Sequence, residues 1–478
     1  MLVSEIAAAL HINFSGADVN IESVEYDSRR VKSGGLFCCV VGLVSDGHDF
    51  AKNAVRAGAV ALLCERQLPL SVPQLIVPDA RKAMAIAAAC FYRHPERELR
   101  LLGVTGTNGK TSVTYMVKAA AEKAGKKVGV IGTIGNRIGE QVAEARRTTP
   151  ESADLYALLR QMADAGVEIV VMEVSSHALV QERVHGLMFD AALFTNLTQD
   201  HLDYHKTFEE YLLAKKRLFL QTRLAIFNAD DPSAAELWEG LPCPVLRMGI
   251  HSLADYQATG IEIAPEGVRF HLHMADASRD FRLRIPGLFT VYNAMSAVAL
   301  LRALDIPLQD IQAGLGELPG VAGRLEQAPT GERPYSVYVD YAHTPDALEN
   351  VLSTCRGFTR GRLLCLFGCG GDRDKAKRPL MGEAAGKHAD FVVITSDNPR
   401  SENPDEIIRT IEPGTARTGT SYMVMENRRD AIHWALAQLS EGDVLVIAGK
   451  GHENYQEIHG VKYPFDDREI VIEWLGLS

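Results

Sequence analysis

The sequence predicts an α/β chain built as three consecutive α/β units, the central one running strand, glycine loop, helix around a parallel sheet. Three observations carry this expectation. Val167–Val174 is a nearly continuous apolar run, as expected of a parallel strand covered on both faces. Leu99–Val104 is a second apolar run. It passes through Gly106 and Gly109 into a stretch where Val113, Met116, Val117, Ala120 and Ala121 recur at helical spacing. The α/β alternation then returns near the C-terminus, where Arg362–Phe367, Asp390–Thr395 and Val444–Ala448 read as strands with helical stretches between them.

A chain of 478 residues holds about three domains at roughly 150 residues each. The first segment mixes short apolar runs (Leu36–Val41, Ala59–Cys64, Gln74–Val77) with alanine-rich helical stretches, of which Ala83–Tyr92 reads as a buried helix. A polar stop at His94–Glu98 and a Gly/Pro-rich stretch at Leu318–Arg324 mark the boundaries. The expected domains are therefore 1–98, 99–321 and 322–478, with parallel sheets expected in two of the three. Repeats and low-complexity tracts are absent.

The net charge of −11 excludes general binding to a phosphate backbone, which needs a basic footprint, so no nucleic-acid partner is expected. It does not exclude local basic pockets for small anions. No apolar run reaches the ~18 residues of a membrane span. The N-terminus MLVSEIAAALHINF has no basic segment leading into a long apolar stretch. A cytoplasmic protein is expected. Cys38, Cys39, Cys64, Cys90, Cys243, Cys355, Cys365 and Cys369 form no C-x-x-C pair, and several sit in apolar runs. They read as core thiols in a reducing compartment.

Thr105-Gly106-Thr107-Asn108-Gly109-Lys110-Thr111 lies where a strand ends and a helix opens. Backbone N–H groups at a helix N-terminus face an anion, and the helix dipole adds favourable charge. Lys110 is placed to meet the β/γ-phosphates and the Thr111 hydroxyl to bind Mg²⁺. The standard spacing needs glycine at 104, and this chain has Val104, so the loop is a variant P-loop. The loop alone leaves nucleotide choice open, and no N-K-x-D guanine motif occurs.

Glu173 lies at the end of the apolar run 167–174, just before Val174, where an acidic residue at the carboxyl edge of a parallel sheet lies beside such a loop. It is a candidate Mg²⁺ ligand, a cation that prefers hard oxygen donors. Asn196 to His205 carries His201 and His205 with Asp200 and Asp203, which suits either a metal centre or a polar turn rich in histidine. In Phe208–Phe219, Phe208, Leu212 and either Lys215 or Lys216 share a helical stripe, so a lysine points inward or the basic face is simply exposed. An isolated buried ammonium is costly unless paired or chemically changed.

Taken together, these residues and their order resemble the Mur ligases, ATP-dependent amino-acid ligases of peptidoglycan precursor synthesis. The motifs are Gly106–Thr111, Glu173–His177, Asn196–His205, Tyr211 with Ala214-Lys215, Tyr292–Ala294, Gly323–Glu326 and Asp340–Pro345. The likeness spans essentially the whole chain. Asp397-Asn398-Pro399-Arg400 resembles the branch that adds meso-diaminopimelate; lysine-adding relatives typically lack this arginine. The resemblance implies a UDP-substrate domain, a P-loop ATPase-like central domain and a Rossmann-like C-terminal domain. It implies ligation of meso-2,6-diaminopimelate to the D-Glu γ-carboxylate of UDP-MurNAc-L-Ala-D-Glu through an acyl phosphate, by a monomer.

Site roles follow from the same resemblance. Lys215 matches a carbamylated lysine (N6-carboxylysine) that serves as a Mg²⁺ ligand, alongside Thr111, Glu173 and His201. Lys110, Lys215, His201 and Glu173 are the expected catalytic set. Thr105–Thr111, Asn293, Arg324, Asp340 and His343 match the ATP side. Tyr26, Ser28, Leu43, Val44 and Ser45 match the uridine region, and Thr148, Thr149, Ser175, Gln181 and Arg183 the sugar-peptide. Arg373, Asp397–Arg400, Gly449 and Glu453 match the diaminopimelate site. Arg147 departs from the asparagine expected before the Thr-Thr pair. Folylpolyglutamate synthetase shares the ATPase and C-terminal organisation and is the nearest alternative, but it does not account for the first 98 residues or for Asp397–Arg400. A P-loop switch or motor fits neither the Val104 departure nor the lysine–histidine cluster.

Overall fold

The computed structural model describes residues 1–42, 45–143, 145, 147–198 and 202–477. The expected α/β class holds, and the chain builds three principal sheets. The first has four strands in the order Ser23–Glu25, Gly35–Cys38, Ala59–Cys64, Gln74–Ile76, and all pairs are parallel. The sequence signals parallel sheets in only two units; here the strands are too short to show their pairing. The helix Ala80–Phe91 lies against this sheet, and its first turn is closed by Asp79 Oδ1, which accepts from the N–H groups of Arg81 and Lys82.

The second sheet has eleven strands, mixed rather than purely parallel. Its middle is parallel: Val245–Gly249, Ala225–Asn228, Ala191–Phe194, Arg100–Thr105, Ile169–Glu173 and Val128–Ile131, in that order. Every residue of Ile169–Glu173 is buried, which is why it reads as an unbroken apolar run. Antiparallel hairpins extend both edges, Asn136–Ile138 with Gln141–Ala143 and Tyr256–Ala264 with Gly267–His273 and Ser278–Leu283. The sequence reading missed them because one is partly to fully exposed and the other shows its polar side. Helices Lys110–Lys123, Leu288–Arg302 and Leu308–Glu317 cover one face, and Ser152–Asp164 with Phe208–Phe219 cover the other.

The third sheet has six strands: Glu326–Ala328, Ser336–Asp340, Val444–Ala448, Leu363–Phe367, Phe391–Ile394 and Ser421–Val424. Only its first pair is antiparallel. Helices Pro345–Arg356, Lys377–His388 and Pro404–Arg417 pack on one face, Arg428–Ala437 and Asp467–Leu475 on the other, giving a doubly wound unit. All eight cysteines are free thiols. No helix among the described residues is long and apolar enough to cross a membrane.

Both large sheets bring their strand ends level. Val104 lies opposite Glu173 and Thr105 opposite Phe194, while Asp340 lies opposite Ala448. In each case consecutive strands leave to opposite sides of a central one, opening a crevice at the carboxyl edge where ligands bind in such sheets. A fully buried ion pair anchors the second edge: Arg428 Nε and Nη2 donate to Asp467 at 2.8 Å, and Nη2 also donates to Ala448 O at 3.0 Å. Removing one member of a buried pair leaves an uncompensated charge. Asp467→Ala should therefore destabilise the C-terminal unit by ~3–5 kcal/mol, measured by urea unfolding; a loss under ~1 kcal/mol would contradict the assignment.

Candidate functional site

The variant loop behaves as its residue types require. Gly106 has φ +146°, and a Cβ there would collide with Thr195 Oγ1. Gly109 has φ +88° and caps the helix Lys110–Lys123; a Cβ there would come 2.7 Å from Asn293 Oδ1. Only glycine meets both demands. Lys110 Nζ donates to Gly106 O and Thr107 O, each at 2.8 Å, so the lysine lies over the loop it follows. Asn196 braces the loop from the neighbouring strand, its O accepting from Thr107 N and its Oδ1 from Asn108 N, both at 2.9 Å.

Glu173, 1% exposed, reaches that loop from the adjacent strand. Its Oε1 accepts from Thr111 Oγ1 at 2.9 Å and Thr133 N at 3.0 Å, and its Oε2 from Thr133 Oγ1 at 3.0 Å. Thr133 Oγ1 in turn lies 3.1 Å from Thr148 Oγ1. Thr149 Oγ1 donates to Glu173 O at 2.9 Å and accepts from Ser175 N at 3.1 Å. Glu173, Thr133, Thr148 and Ser175 share one cavity of about 490 Å³ with the loop, Lys215, Asn293, Arg324, Asp340 and His343.

The inward lysine is Lys215. It is 1% exposed, with Nζ 4.4 Å from the Tyr211 ring centre. Lys216 instead donates outward to Glu236 O and Glu239 O. Phe208, expected on the inward stripe, is 45% exposed, because it opens the helix beyond the core. Tyr211 OH lies 3.2 Å from Thr107 Oγ1, tying this helix to the loop. His205 Nε2 lies 2.8 Å from Ser176 Oγ, and burial, with His177 and Lys215 nearby, pushes its imidazole down to about 4. His201 lies outside the described residues. Among the described residues no three His, Cys, Asp or Glu side chains gather as a metal site. The hard donors Thr111 and Glu173 suit an ion that keeps waters and phosphate oxygens as its other ligands.

The C-terminal unit closes this cavity. Arg324 Nη2 donates to Thr111 Oγ1 at 3.0 Å, its guanidinium rests 4.7 Å over the Tyr341 ring, and its Nε has no acceptor among the described residues. Leu325, next in sequence, has φ +45° and is held there by Asp340 Oδ2, which accepts from Leu325 N at 2.5 Å. Burial pushes the Asp340 carboxyl up to about 6, opposed by Arg324 and by the N–H groups of Leu325 and Ala342. His343 Nδ1 lies 2.8 Å from Tyr341 O. Asn108 Nδ2 donates to Asp346 Oδ2 at 2.7 Å, a second tie across the two units.

A wider cleft of about 1190 Å³ opens between the first and second sheets, lined by Tyr26, Ser28, Ser45, Arg147 and Glu151 among others. Tyr26 OH donates to Asp154 Oδ2 at 2.6 Å. Leu43 and Val44 lie outside the described residues. Arg183 donates to Thr149 O at 2.9 Å and Gln181 Oε1 at 2.6 Å. The buried Glu151 carboxylate gathers three arginines, Arg81, Arg147 and Arg183. Arg147, the departure from the expected asparagine, is thus part of a basic cluster. Sequence reasoning missed Arg81 and Glu151, since neither lies in a recognisable motif.

The Asp397–Arg400 motif sits at the carboxyl edge of the third sheet. Arg400 has φ +52°, and the hairpin Tyr455–Pro464 holds it there: Arg400 N donates to Glu457 O at 3.0 Å, and Arg400 O accepts from His459 N at 2.7 Å. Its Nη1 donates to Gly371 O at 2.8 Å and its Nε lies 3.5 Å from Glu457 Oε2. A Cβ on Gly370 would meet Arg400 Nη1 at 2.8 Å and Arg373 Cγ at 3.8 Å, so both arginines flank one glycine. Gly449 has φ +114°, and a Cβ there would come 2.5 Å from Asp397 Oδ2. Asn398 Nδ2 donates to Glu453 Oε2 at 2.8 Å.

Three family models match the chain in order: the Mur ligase family catalytic domain over 20–98, the Mur ligase middle domain over 104–301 and the Mur ligase glutamate ligase domain over 323–451. The chain is 48% identical over 462 residues to the UDP-N-acetylmuramoyl-L-alanyl-D-glutamate–2,6-diaminopimelate ligase of Bacillus licheniformis, covering 95% of this chain and 94% of that one. It is 46% identical over 480 residues to the enzyme of the same name from Caldanaerobacter subterraneus, covering 100% and 99%. A solved structure of a ligase with that name superimposes with a TM-score of 0.72 at 33% identity, covering 100% of this chain and 99% of the other.

Lys110 can be tested directly. Lys110→Ala should lower ATP turnover by about 10²-fold or more, on the scale of removing one preorganised electrostatic contact, with the melting temperature unchanged. Near-normal turnover would exclude Lys110 from the phosphate site.

Proposed function

The chain belongs to the Mur ligase family, and from that premise we infer its reaction: ATP-dependent addition of meso-2,6-diaminopimelate to the D-Glu γ-carboxylate of UDP-MurNAc-L-Ala-D-Glu, in peptidoglycan precursor synthesis. The observation that carries the reading is the full-length likeness to ligases of that name, joined to an arginine at position 400 fixed in the strand-edge motif. Neither a folate ligase nor a switch protein accounts for that combination. We assign residues 1–98 to the nucleotide-sugar, 99–321 to ATP and 322–478 to the amino acid. A cytoplasmic monomer is the matching physical form.

Joining a carboxylate to an amine in water requires activation, so the γ-phosphoryl of ATP passes to the γ-carboxylate. Two anions must meet, and charge neutralisation is the main task. Lys110 exchanges its loop carbonyls for phosphate oxygens, and Arg324, with an N–H to spare, adds positive charge from the opposite unit. Asn293, against Gly109, faces the adenine side, while Asp340 and His343 keep Arg324 and Tyr341 in place. Mg²⁺ fits the donors Thr111 and Glu173, with His201 and a carbamylated Lys215 completing our proposed set. When bound it neutralises the phosphate charge at this edge. Carbamylation is addition of CO2 to the Lys215 amine: the ammonium gives up one proton to expose the Nζ lone pair, Nζ bonds the CO2 carbon and loses a second proton, and a costly buried cation becomes an anionic oxygen donor.

The nucleotide substrate lies along the cleft between the first two sheets. Tyr26, Ser28, Leu43, Val44 and Ser45 hold its uridine end; Thr148, Thr149, Ser175, Gln181 and Arg183 hold the peptide end beside Glu173, with Arg147 in the basic cluster. The amine of diaminopimelate attacks the acyl carbon, the C–N bond forms, and inorganic phosphate leaves with the C–O bond electrons. The contacts Arg324–Thr111 and Asn108–Asp346 close the units and exclude water, which would otherwise hydrolyse the acyl phosphate. Arg373, Asp397, Asn398, Pro399, Arg400, Gly449 and Glu453 form the amino-acid site. A guanidinium grips a carboxylate bidentately, so Arg400 selects the substrate that carries a second one.

Incubating the chain with ATP, the UDP-dipeptide and meso-diaminopimelate should add the mass of one diaminopimelate residue to the nucleotide; no mass change would refute the reading. The kcat/KM for meso-diaminopimelate should exceed that for L-lysine by roughly 10³-fold or more, because lysine leaves the arginine site unpaired. Equal values would remove Arg400 from specificity. Lys215→Ala should be nearly inactive and regain part of its activity with formate or acetate; full activity without rescue would refute the carbamate.

A further inference from the structure

Lys450 has no role in the mechanism above, yet it lies between Gly449 and Glu453 at the same strand edge and is 0% exposed. Its Nζ donates to Asn398 Oδ1 at 3.0 Å and to Glu453 Oε2 at 3.1 Å. Asn398 Nδ2 donates to that same Glu453 oxygen at 2.8 Å, and Asn398 Oδ1 also accepts from Glu457 N at 2.9 Å. The ring of Tyr455 lies 5.4 Å from the ammonium. Cation, amide and carboxylate thus form a closed triangle, two of whose corners are assigned to the amino acid.

A buried ion pair adds little to stability compared with apolar residues of the same shape, because desolvation offsets the attraction. A lysine kept here is better explained by what it fixes. The Asp397 charge lies near enough to push the Glu453 carboxyl toward its neutral form, and a cation in contact with Glu453 opposes that. A protonated carboxyl offers an incoming ammonium a far weaker partner than a carboxylate does.

We propose that Lys450 is a positioning residue for the incoming amino acid: its buried ammonium locks the Glu453 carboxylate and the Asn398 amide into one unit that receives an ammonium group of the substrate. The proposal rests on the diaminopimelate reading above. Lys450 does not touch the substrate and acts only through these two side chains.

Several groups bear on Glu453. Burial raises its carboxyl, Asp397 raises it further, and Lys450 and the Asn398 amide lower it. Tyr341 and Tyr455 lie close enough to feel its charge, as does the buried Arg428. Lys450 is the nearest cation, so its loss moves the Glu453 carboxyl higher still. The carboxylate then persists only at higher pH, and binding of a cationic group should weaken as pH falls and recover as pH rises.

The test compares the full-length chain with Lys450→Met and Lys450→Arg in steady-state ligation between pH 6.5 and 9. For Lys450→Met, KM for meso-diaminopimelate should rise about 10- to 100-fold, as expected when a buried charge pair at a binding site is truncated. The kcat should change less than about threefold on that scale, and KM for ATP and for the UDP-dipeptide should stay put. The diaminopimelate defect should shrink toward pH 9. Lys450→Arg should recover much of the affinity by restoring the cation, and it covers the case in which the methionine variant fails to fold. An unchanged KM for diaminopimelate, a pH-independent defect, or an equal rise in all three KM values would overturn the proposal. The wild-type chain decides the underlying reading separately: if it does not ligate meso-diaminopimelate, that reading fails, whatever the variants do.

Discussion

The buried carboxylate of Glu173 is the point on which the catalytic half of the structure depends. It ends one strand, binds the hydroxyl that follows the phosphate loop, and takes both the N–H and the hydroxyl of Thr133. Through Thr111 it is one atom away from Arg324 of the C-terminal unit. A carboxylate 1% exposed must be fully hydrogen-bonded or neutralised. The hydrogen bonds that satisfy it tie together the loop, Thr133 and, through Thr111, the arginine of the C-terminal unit. Stability and positioning are the same interaction here.

The second recurring device is backbone held outside its ordinary region. Gly106 and Gly109 let the loop pass against Thr195 and Asn293. Leu325 and Arg400 have left-handed φ without being glycine, and each is fixed by short hydrogen bonds from a neighbouring strand or hairpin. Such conformations persist only where the surroundings over-determine them. Both lie at an arginine of the site: Leu325 follows Arg324, and Arg400 is itself the residue proposed to read the second carboxylate. These fixed backbone positions hold the Arg324 and Arg400 guanidinium groups in one place at their strand edges.

Charge is arranged locally against a global surplus of acid. The chain is net −11, yet Lys110, Arg183, Arg324 and Arg400 each sit where we propose that a substrate group binds. At those sites short range and partial burial outweigh the distant acidic surface, since exposed charges beyond a Debye length are screened.

Much of this was legible in the sequence. The strands Ile169–Glu173 and Leu363–Phe367 announced themselves as apolar runs because both faces are buried, and the phosphate loop did so because only glycine fits its turns. Glu173 could be placed because it ends such a run. The hairpins at 136–143 and 256–283 were not legible, since exposed antiparallel strands carry little apolar signal. Spacing alone could not choose Lys215 over Lys216, or set Phe208 apart from the inward stripe, because a helical period fixes a face and not what packs against it. Arg81, Glu151 and Lys450 acquired meaning only when distant segments met: Glu151 gathers an arginine 70 residues before it and another 32 residues after it, Arg81 and Arg183. The sequence by itself determined the α/β class, the loop and the family, because these depend on local residue types in fixed order. The tertiary structure decided which charges pair, which lysine turns inward and which residues share a site, because those depend on burial and distance between parts of the chain that carry no signal of one another.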